Sequence, residues 1–123
     1  MLALAVLLWV AGFDLIYATQ DHDFDHSEGL HSLVVKLGIE ASLRWAKWLH
    51  WMMLAVLVAF GWSAGLQAAF FWSLAMIASA IVFEHWTAAK RDLAAINRAF
   101  FSSNAFVGVV FVLGVLVDQL WPR

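Results

Sequence analysis

The sequence predicts an all-α protein: a polytopic bundle of four transmembrane helices. Hydrophobic residues make up 64% of the 123 residues and charged residues 13%, whereas about 25% of the residues of a soluble domain are charged. Apolar stretches of about 17–20 residues, long enough for a helix to cross a bilayer, alternate with polar connections. The chain has no Cys, which excludes thiolate metal sites and cysteine nucleophiles. Its net charge of −2 does not favour nucleic acid as a partner.

The predicted spans are the apolar stretches at 1–17, 43–60, 64–83 and 99–117. The first stretch has no basic residues at its start and leads directly into an acidic cluster, so it is not a typical signal peptide. The second carries Arg44, Lys47 and His50 near its start, and we expect these polar groups to reach the membrane interface. The third and fourth carry no charged side chain.

The connections predict the topology. The segment 61–63 is short, so the second and third spans are expected to form an antiparallel hairpin, while 18–42 and 84–98 are long and polar. With four spans, both long connections lie on one side of the membrane. The basic residues expected on that side are Lys36, Arg44, Lys47, Lys90, Arg91 and Arg98, against Arg123 on the other. The positive-inside rule therefore predicts a multi-pass protein of the inner (plasma) membrane whose Asp-rich loop, 18–42, faces the cytoplasm.

That loop opens with clustered carboxylates, which repel one another near a low-dielectric membrane and call for a counter-charge. If the first helix continued to Asp25, then Asp14, Tyr17, Asp21 and Asp25 would fall on one face of that helix. Asp21 and Asp25, at i and i+4, would then share a hard divalent cation. Because Mg²⁺ prefers one or two protein carboxylates together with substrate phosphate oxygens, the residue types predict a Mg²⁺–diphosphate clamp.

An EF-hand loop is a second interpretation of the cluster, because Asp21, Asp23 and Asp25 occupy its positions 1, 3 and 5. The rest of the loop does not fit. His26 stands where the sharp turn needs Gly, and Ser32 stands where a bidentate Glu is needed.

Three further interpretations are a zinc or iron site, a solvated acidic loop and a small divalent-metal transporter. His22 and His26 stand at i and i+4, a spacing that suits imidazole-binding metals, but they flank the carboxylates, which favours solvated loop histidines. A plain acidic loop is disfavoured because the polar stripe begins inside the membrane. A transporter needs ionisable residues near the middle of several spans, and two of these spans have none.

A longer pattern runs through the same residues: D-x-x-Y-A-x-x-D-x-x-x-D, followed by Gly and Ser. Its members here are Asp14, Tyr17, Ala18, Asp21, Asp25, Gly29 and Ser32. The pattern resembles the second aspartate-rich motif of the UbiA superfamily of intramembrane aromatic prenyltransferases. In order, number and spacing, the four spans resemble helices six to nine of that nine-helix fold. The sequence Gly29-Leu30-His31-Ser32 is most similar to the 4-hydroxybenzoate polyprenyltransferase-like branch, although Ser27 replaces a Lys found in many of its members.

The resemblance implies Mg²⁺-dependent transfer of a polyprenyl group from polyprenyl diphosphate to an aromatic acid of the 4-hydroxybenzoate type in quinone biosynthesis. Asp21 and Asp25 would be the catalytic and metal-holding residues. Dihydroxynaphthoate, the menaquinone precursor, and the porphyrin-derived acceptors of other members are the alternative acceptors.

Further residues are implied to bind substrate: Asp14, Tyr17, Lys36 and Arg98. A structural hydrogen bond is an equally favoured role for Asp14. Anchoring at the membrane interface is an equally favoured role for Tyr17. Lys36 and Arg98 can bind diphosphate or the aromatic carboxylate, and the simpler role of setting the topology is favoured for both.

The first aspartate-rich motif of the family, N-x-x-x-D-x-x-x-D, is absent from this sequence. We therefore expect residues 1–123 to be the C-terminal half of a UbiA-type domain, inactive alone, whose partners are the missing N-terminal half, the two substrates and the bilayer.

Overall fold

The computed structural model of the protein describes residues 1–90 and 92–120, and only the backbone of Leu93. These residues form helices and no strand. The helices are α1 (Leu2–Ala18), α2 (His22–Ser27), α3 (Leu33–Leu37), α4 (Ile39–Ser63), α5 (Ala68–Ala89) and α6 (Leu93–Leu120). The all-α prediction is confirmed, with α1, α4, α5 and α6 as the long helices of the bundle. Arg91 and Arg123, which entered the topology argument, lie outside the described residues.

The turn between the second and third long helices differs from the expectation. The segment 61–63, predicted to be the turn, is the last part of α4, and the chain reverses over the following residues 64–67. Gly65 adopts φ 68° there, a left-handed conformation that Gly reaches without strain. Gly61 has a different role, because it lies in α4 where a Cβ would collide with the ring of Phe70.

Within the described residues, Ala68–Ala89 and Ala94–Leu120 are long and apolar enough to cross a membrane, with mean hydropathies of 1.5 and 2.2. They correspond to the third and fourth predicted spans. The helix α1 is apolar but has 17 residues, and α4 is not among the helices that combine the required length and hydropathy. That α1 and α4 also cross the membrane stays a prediction.

The long helices pack as two pairs, α1 on α4 and α5 on α6, and α4 and α5 join the pairs. Close packing through small residues is what holds helices together in lipid, where apolar burial gives little drive for association. Three glycines provide such contacts. A Cβ at Gly12 would collide with His50, one at Gly61 with Phe70, and one at Gly114 with Ser73.

Side-chain caps define where several helices begin. The Asp92 Oδ1 accepts hydrogen bonds from the backbone N–H groups of Ala94 (3.0 Å) and Ala95 (3.2 Å), so α6 begins at Leu93, six residues before the predicted span. The Ser32 hydroxyl accepts from the N–H of Val35 at 3.3 Å and caps α3. Both caps satisfy N–H groups that a helix leaves without a partner in its first turn.

Candidate functional site

The helix α1 ends at Ala18, which is earlier than the polar stripe requires. The Thr19 hydroxyl donates a hydrogen bond to the carbonyl oxygen of Ile16 at 2.6 Å, and the Gln20 N–H donates to the carbonyl of Tyr17 at 2.9 Å. Bonds from i to i−3 tighten the last turn of a helix and end its regular ladder. A threonine hydroxyl that donates a hydrogen bond to a backbone carbonyl competes with the helical N–H donor for that carbonyl.

The helix α1 therefore does not continue to Asp25, which is the condition on which the single polar stripe depended. Asp14 and Tyr17 lie on α1. Asp25 lies on the separate short helix α2, and Asp21 is the residue that precedes that helix. The four side chains do not form one continuous helical stripe.

The spacing between Asp21 and Asp25 survives this break. Asp21 precedes α2 with helical backbone angles, φ −92° and ψ 0°, and its carbonyl accepts the N–H of Asp25 at 2.8 Å. One turn of helix therefore separates the two residues, so their side chains leave the same face of that turn. Asp21 is exposed and Asp25 is half-buried.

The turn from Asp21 to Asp25 offers two carboxylates as candidate metal ligands. No group of three or more His, Asp or Glu side chains within residues 1–90 and 92–120 is arranged to hold a metal. A two-carboxylate site is what Mg²⁺ uses when substrate phosphates supply the remaining ligands. Neither Asp21 nor Asp25 has an ion-pair partner among the described residues, so their charges are available to a cation.

The neighbouring histidines do not build the zinc or iron site considered from the sequence. The Nδ1 of His22 lies 2.9 Å from the Oδ1 of Asp23, and the rings of His22 and His26 stack with their centroids 6.3 Å apart. His31 is exposed in the loop that follows α2.

Tyr17 connects α1 to α6 at the polar end of the bundle. Its hydroxyl donates to the Oδ1 of Asn97 at 2.6 Å, and its ring meets that of Phe100 edge-on at 4.6 Å. Phe13, one turn earlier, meets the same Phe100 ring at 5.2 Å. The sequence did not predict this contact, because a single Asn in a polar connection gives no periodic signal of its partner.

The other candidate substrate-binding residues lie on separate elements. Asp14 is exposed on α1, Arg98 is exposed on α6 directly after Asn97, and Lys36 is exposed on α3, which packs against α2. The structure thus brings Tyr17 into contact with the helix that carries Arg98. It also brings α3 against the helical turn from Asp21 to Asp25, called the aspartate turn below.

Two buried polar residues correct the sequence analysis. His50 does not reach an interface: it is fully buried in α4, where its Nδ1 lies 3.0 Å from the Nε2 of His85 on α5. Glu84, assigned to the polar connection 84–98, lies inside α5 with 3% of its surface exposed. Hydropathy gave no indication of either position, because it scores a polar residue as if it always reached water.

A third missed residue is Asp118, which lies just beyond the predicted fourth span. It is buried near the end of α6, and both of its carboxylate oxygens lie 2.9 Å from the N–H of Gln67. Gln67 precedes α5, so Asp118 caps α5 from the neighbouring helix.

Comparison with known proteins places this geometry in a family. The chain matches the sequence profile of the UbiA prenyltransferase family over residues 1–116. The chain belongs to that family. This confirms the resemblance seen in the aspartate pattern, and family membership together with the two apolar helices indicates integration into a membrane.

Two similar proteins carry the name 4-hydroxybenzoate octaprenyltransferase. The relative from Yersinia enterocolitica is 31% identical over 120 residues, which are 98% of this chain and 41% of the relative. The relative from Alkalilimnicola ehrlichii is 36% identical over 118 residues, which are 96% of this chain and 40% of the relative. The chain therefore spans about 40% of the length of these relatives. No solved structure gives a significant match.

Proposed function

We propose that this chain supplies part of the active site of a membrane polyprenyltransferase that acts on an aromatic acid of the 4-hydroxybenzoate type in quinone biosynthesis. The observation that carries the proposal is the helical turn from Asp21 to Asp25, whose carboxylates have no ion-pair partner among the described residues. Membership of the UbiA family and the names of the relatives support the same reaction class.

The chemistry requires stabilisation of a departing diphosphate. As the allylic C–O bond breaks, negative charge grows on the leaving diphosphate, and a Mg²⁺ ion held by Asp21 and Asp25 would supply Lewis-acid stabilisation of that charge. In this proposal, the helical turn from Asp21 to Asp25 presents both carboxylates from one face. The aromatic ring of the acceptor attacks the allylic carbon and then loses a proton.

The surrounding residues are proposed to position the substrates. Tyr17 donates a hydrogen bond to Asn97, which directly precedes Arg98 on α6, and in this proposal the hydroxyl and the guanidinium both bind the diphosphate. Lys36 on α3 adds a cation beside α2, and Asp14 is the deeper acidic group on α1. Exclusion of water by lipid and apolar helices protects the allylic cation during transfer.

A single carboxylate pair does not make a complete site. We propose that further ligands come from the part of the relatives' length that this chain does not span, and that the 123-residue chain alone has no turnover. The proposed location is the inner membrane, with the aspartate turn facing the cytoplasm.

The test joins this chain to the N-terminal portion of the Yersinia enterocolitica relative and measures Mg²⁺-dependent prenylation in membranes. The variants are Asp21→Asn and Asp25→Asn, which keep side-chain size and remove charge. Asp23→Asn on the same short helix is the matched control, because the Asp23 side chain is 98% exposed and pairs with His22. We expect kcat to fall about 100-fold or more in the first two variants and little in the control.

Offering 4-hydroxybenzoate and dihydroxynaphthoate side by side identifies the acceptor. Equal losses in all three Asn variants would contradict the assignment of the clamp to Asp21 and Asp25. Activity that persists in the two clamp variants, or that does not depend on Mg²⁺, would contradict the proposed function.

A further inference from the structure

A groove with charged and apolar parts runs between α4 and α5, and neither Asp21 nor Asp25 is among the residues that line it. Its volume is about 670 Å³. Arg44, Lys47 and Glu40 line the end nearest the start of α4, and Leu43, Ile81 and Val82 line the apolar part. The groove therefore has a charged end and an apolar surface next to each other.

The polar end carries an excess of positive charge. Arg44 and Lys47 are exposed, and within the part of the chain that the structure describes neither has a carboxylate at ion-pair distance. The Nζ of Lys90 lies 3.2 Å from the centroid of the Trp86 ring, which itself lines the groove. Glu40 is the acidic residue among those that line it. This charge distribution favours an anionic ligand.

The aromatic residues lead us to expect the groove at the level of a membrane interface. Trp51 and Trp86 flank it, with 47% and 58% of their surface exposed, and exposed Trp side chains are typical of the headgroup region. Arg44 also lines a second groove of about 500 Å³, together with Trp45, Trp48 and Met52. Apolar surface thus lies on both sides of a single guanidinium.

We propose that this pair of grooves binds an anionic phospholipid of the surrounding bilayer. The phosphate lies against Arg44 and Lys47, and the acyl chains follow the apolar surfaces past Val82 on one side and Met52 on the other. A free phosphate would leave those apolar surfaces unused, and a zwitterionic lipid would bring its own cation to a basic site. Basic pockets between membrane helices commonly take such headgroups.

The inference is independent of the proposed enzymatic reaction, and it is tested by lipid retention. The chain is purified in detergent, mixed with phosphatidylglycerol or phosphatidylcholine of matched acyl chains, and analysed by native mass spectrometry. We expect about tenfold stronger retention of phosphatidylglycerol, since each basic residue near a membrane surface contributes measurably to binding of anionic lipid. The double variant Arg44→Gln/Lys47→Gln is expected to abolish the preference.

Two variants act as controls. Lys36→Gln removes one positive charge outside the grooves and is expected to leave the preference unchanged. Glu40→Gln removes the groove's acidic residue and is expected to strengthen it. An equal effect of Lys36→Gln and the double variant would overturn the proposal, because the attraction would then be general. Competition by millimolar inorganic phosphate would overturn it too, since the ligand would then be a free anion.

The same measurement on the joined, full-length protein tests whether another part of the enzyme covers the face. A retained preference for phosphatidylglycerol supports the proposal. Loss of the preference there would show that the groove is a contact with the rest of the enzyme, and would overturn it.

Discussion

The Nδ1 of His50 on α4 lies 3.0 Å from the Nε2 of His85 on α5, and the Nε2 of His50 lies 3.2 Å from the carbonyl oxygen of Trp9 on α1. A carbonyl only accepts hydrogen bonds, so the Nε2 of His50 carries a proton. With both rings neutral, the Nδ1 of His50 accepts and the Nε2 of His85 donates. The pair therefore links three helices through hydrogen bonds of fixed direction.

The contact between Gly12 and His50 sets the spacing of α1 and α4, and Gly12→Ala is expected to break it. The added methyl would collide with the imidazole and push His50 away from the Trp9 carbonyl. Overpacking of this kind costs about 1–3 kcal/mol, which thermal unfolding in detergent, followed by Trp fluorescence, will show. Gly108→Ala on α6 is the control: its Cβ would meet no atom within 4 Å, so we expect no loss of stability. Equal losses in the two variants would contradict the close approach.

Asp118 caps α5 across the bundle, and Asp118→Ala is expected to lower the stability of the α5–α6 pair. The substitution leaves the N–H of Gln67 without its acceptor, at a cost of about 0.5–2 kcal/mol for a lost cap. The midpoint of thermal unfolding measures the change. Gln119→Ala, next to it on the exposed side of α6, should leave the midpoint unchanged, and an unchanged midpoint in Asp118→Ala would show that the cap does not stabilise the fold.

Tyr17 has two possible contributions to the proposed reaction, and the Asn97 contact separates them. If Tyr17 acts by holding α1 to α6, Tyr17→Phe and Asn97→Ala should reduce kcat/KM of the joined enzyme by similar factors. If the hydroxyl also binds diphosphate, Tyr17→Phe should be the more damaging and should raise KM for the diphosphate. We expect the second pattern, because the hydroxyl oxygen keeps acceptor capacity while it donates to Asn97. Similar losses would restrict Tyr17 to a structural role.

Glu84 is buried in α5, and its Oε2 has no hydrogen-bond partner among the described residues. A buried polar group without a partner destabilises a fold by about 1–3 kcal/mol. Glu84→Met, which keeps a similar volume, is therefore expected to raise the unfolding midpoint of the chain in detergent. Glu28→Met in the exposed loop is the control and should change little. A lower midpoint for Glu84→Met would mean that the carboxyl makes a stabilising contact.

The sequence was sufficient to predict the long helices but not where they end. Apolar composition over about 17–20 residues identifies a span, and each of the four apolar stretches falls largely within one long helix of the structure, although residues 64–67 precede α5. The ends depend on individual hydrogen bonds that composition does not register, such as the cap by Asp92 that starts α6 and the Thr19 hydroxyl that ends α1.

The spacing within the aspartate turn was predictable because it depends only on residues that are close together in the sequence. The i, i+4 spacing of Asp21 and Asp25 is a local property, so it holds in α2 even though the longer stripe through Asp14 does not. His50 and Glu84 could not be placed from the sequence, because their burial depends on packing between helices that are distant along the chain.

The break between α1 and α2 separates a packed helix from a more exposed turn, and we expect substitutions to be tolerated differently in the two. Because the aspartate turn is not a rigid extension of α1, changes in the loop of Glu28 to Ser32 can shift the carboxylates without disturbing the packing of α1 against α4. The hydrogen bonds that end α1 therefore separate the buried packing of α1 against α4 from the more exposed turn that carries Asp21 and Asp25.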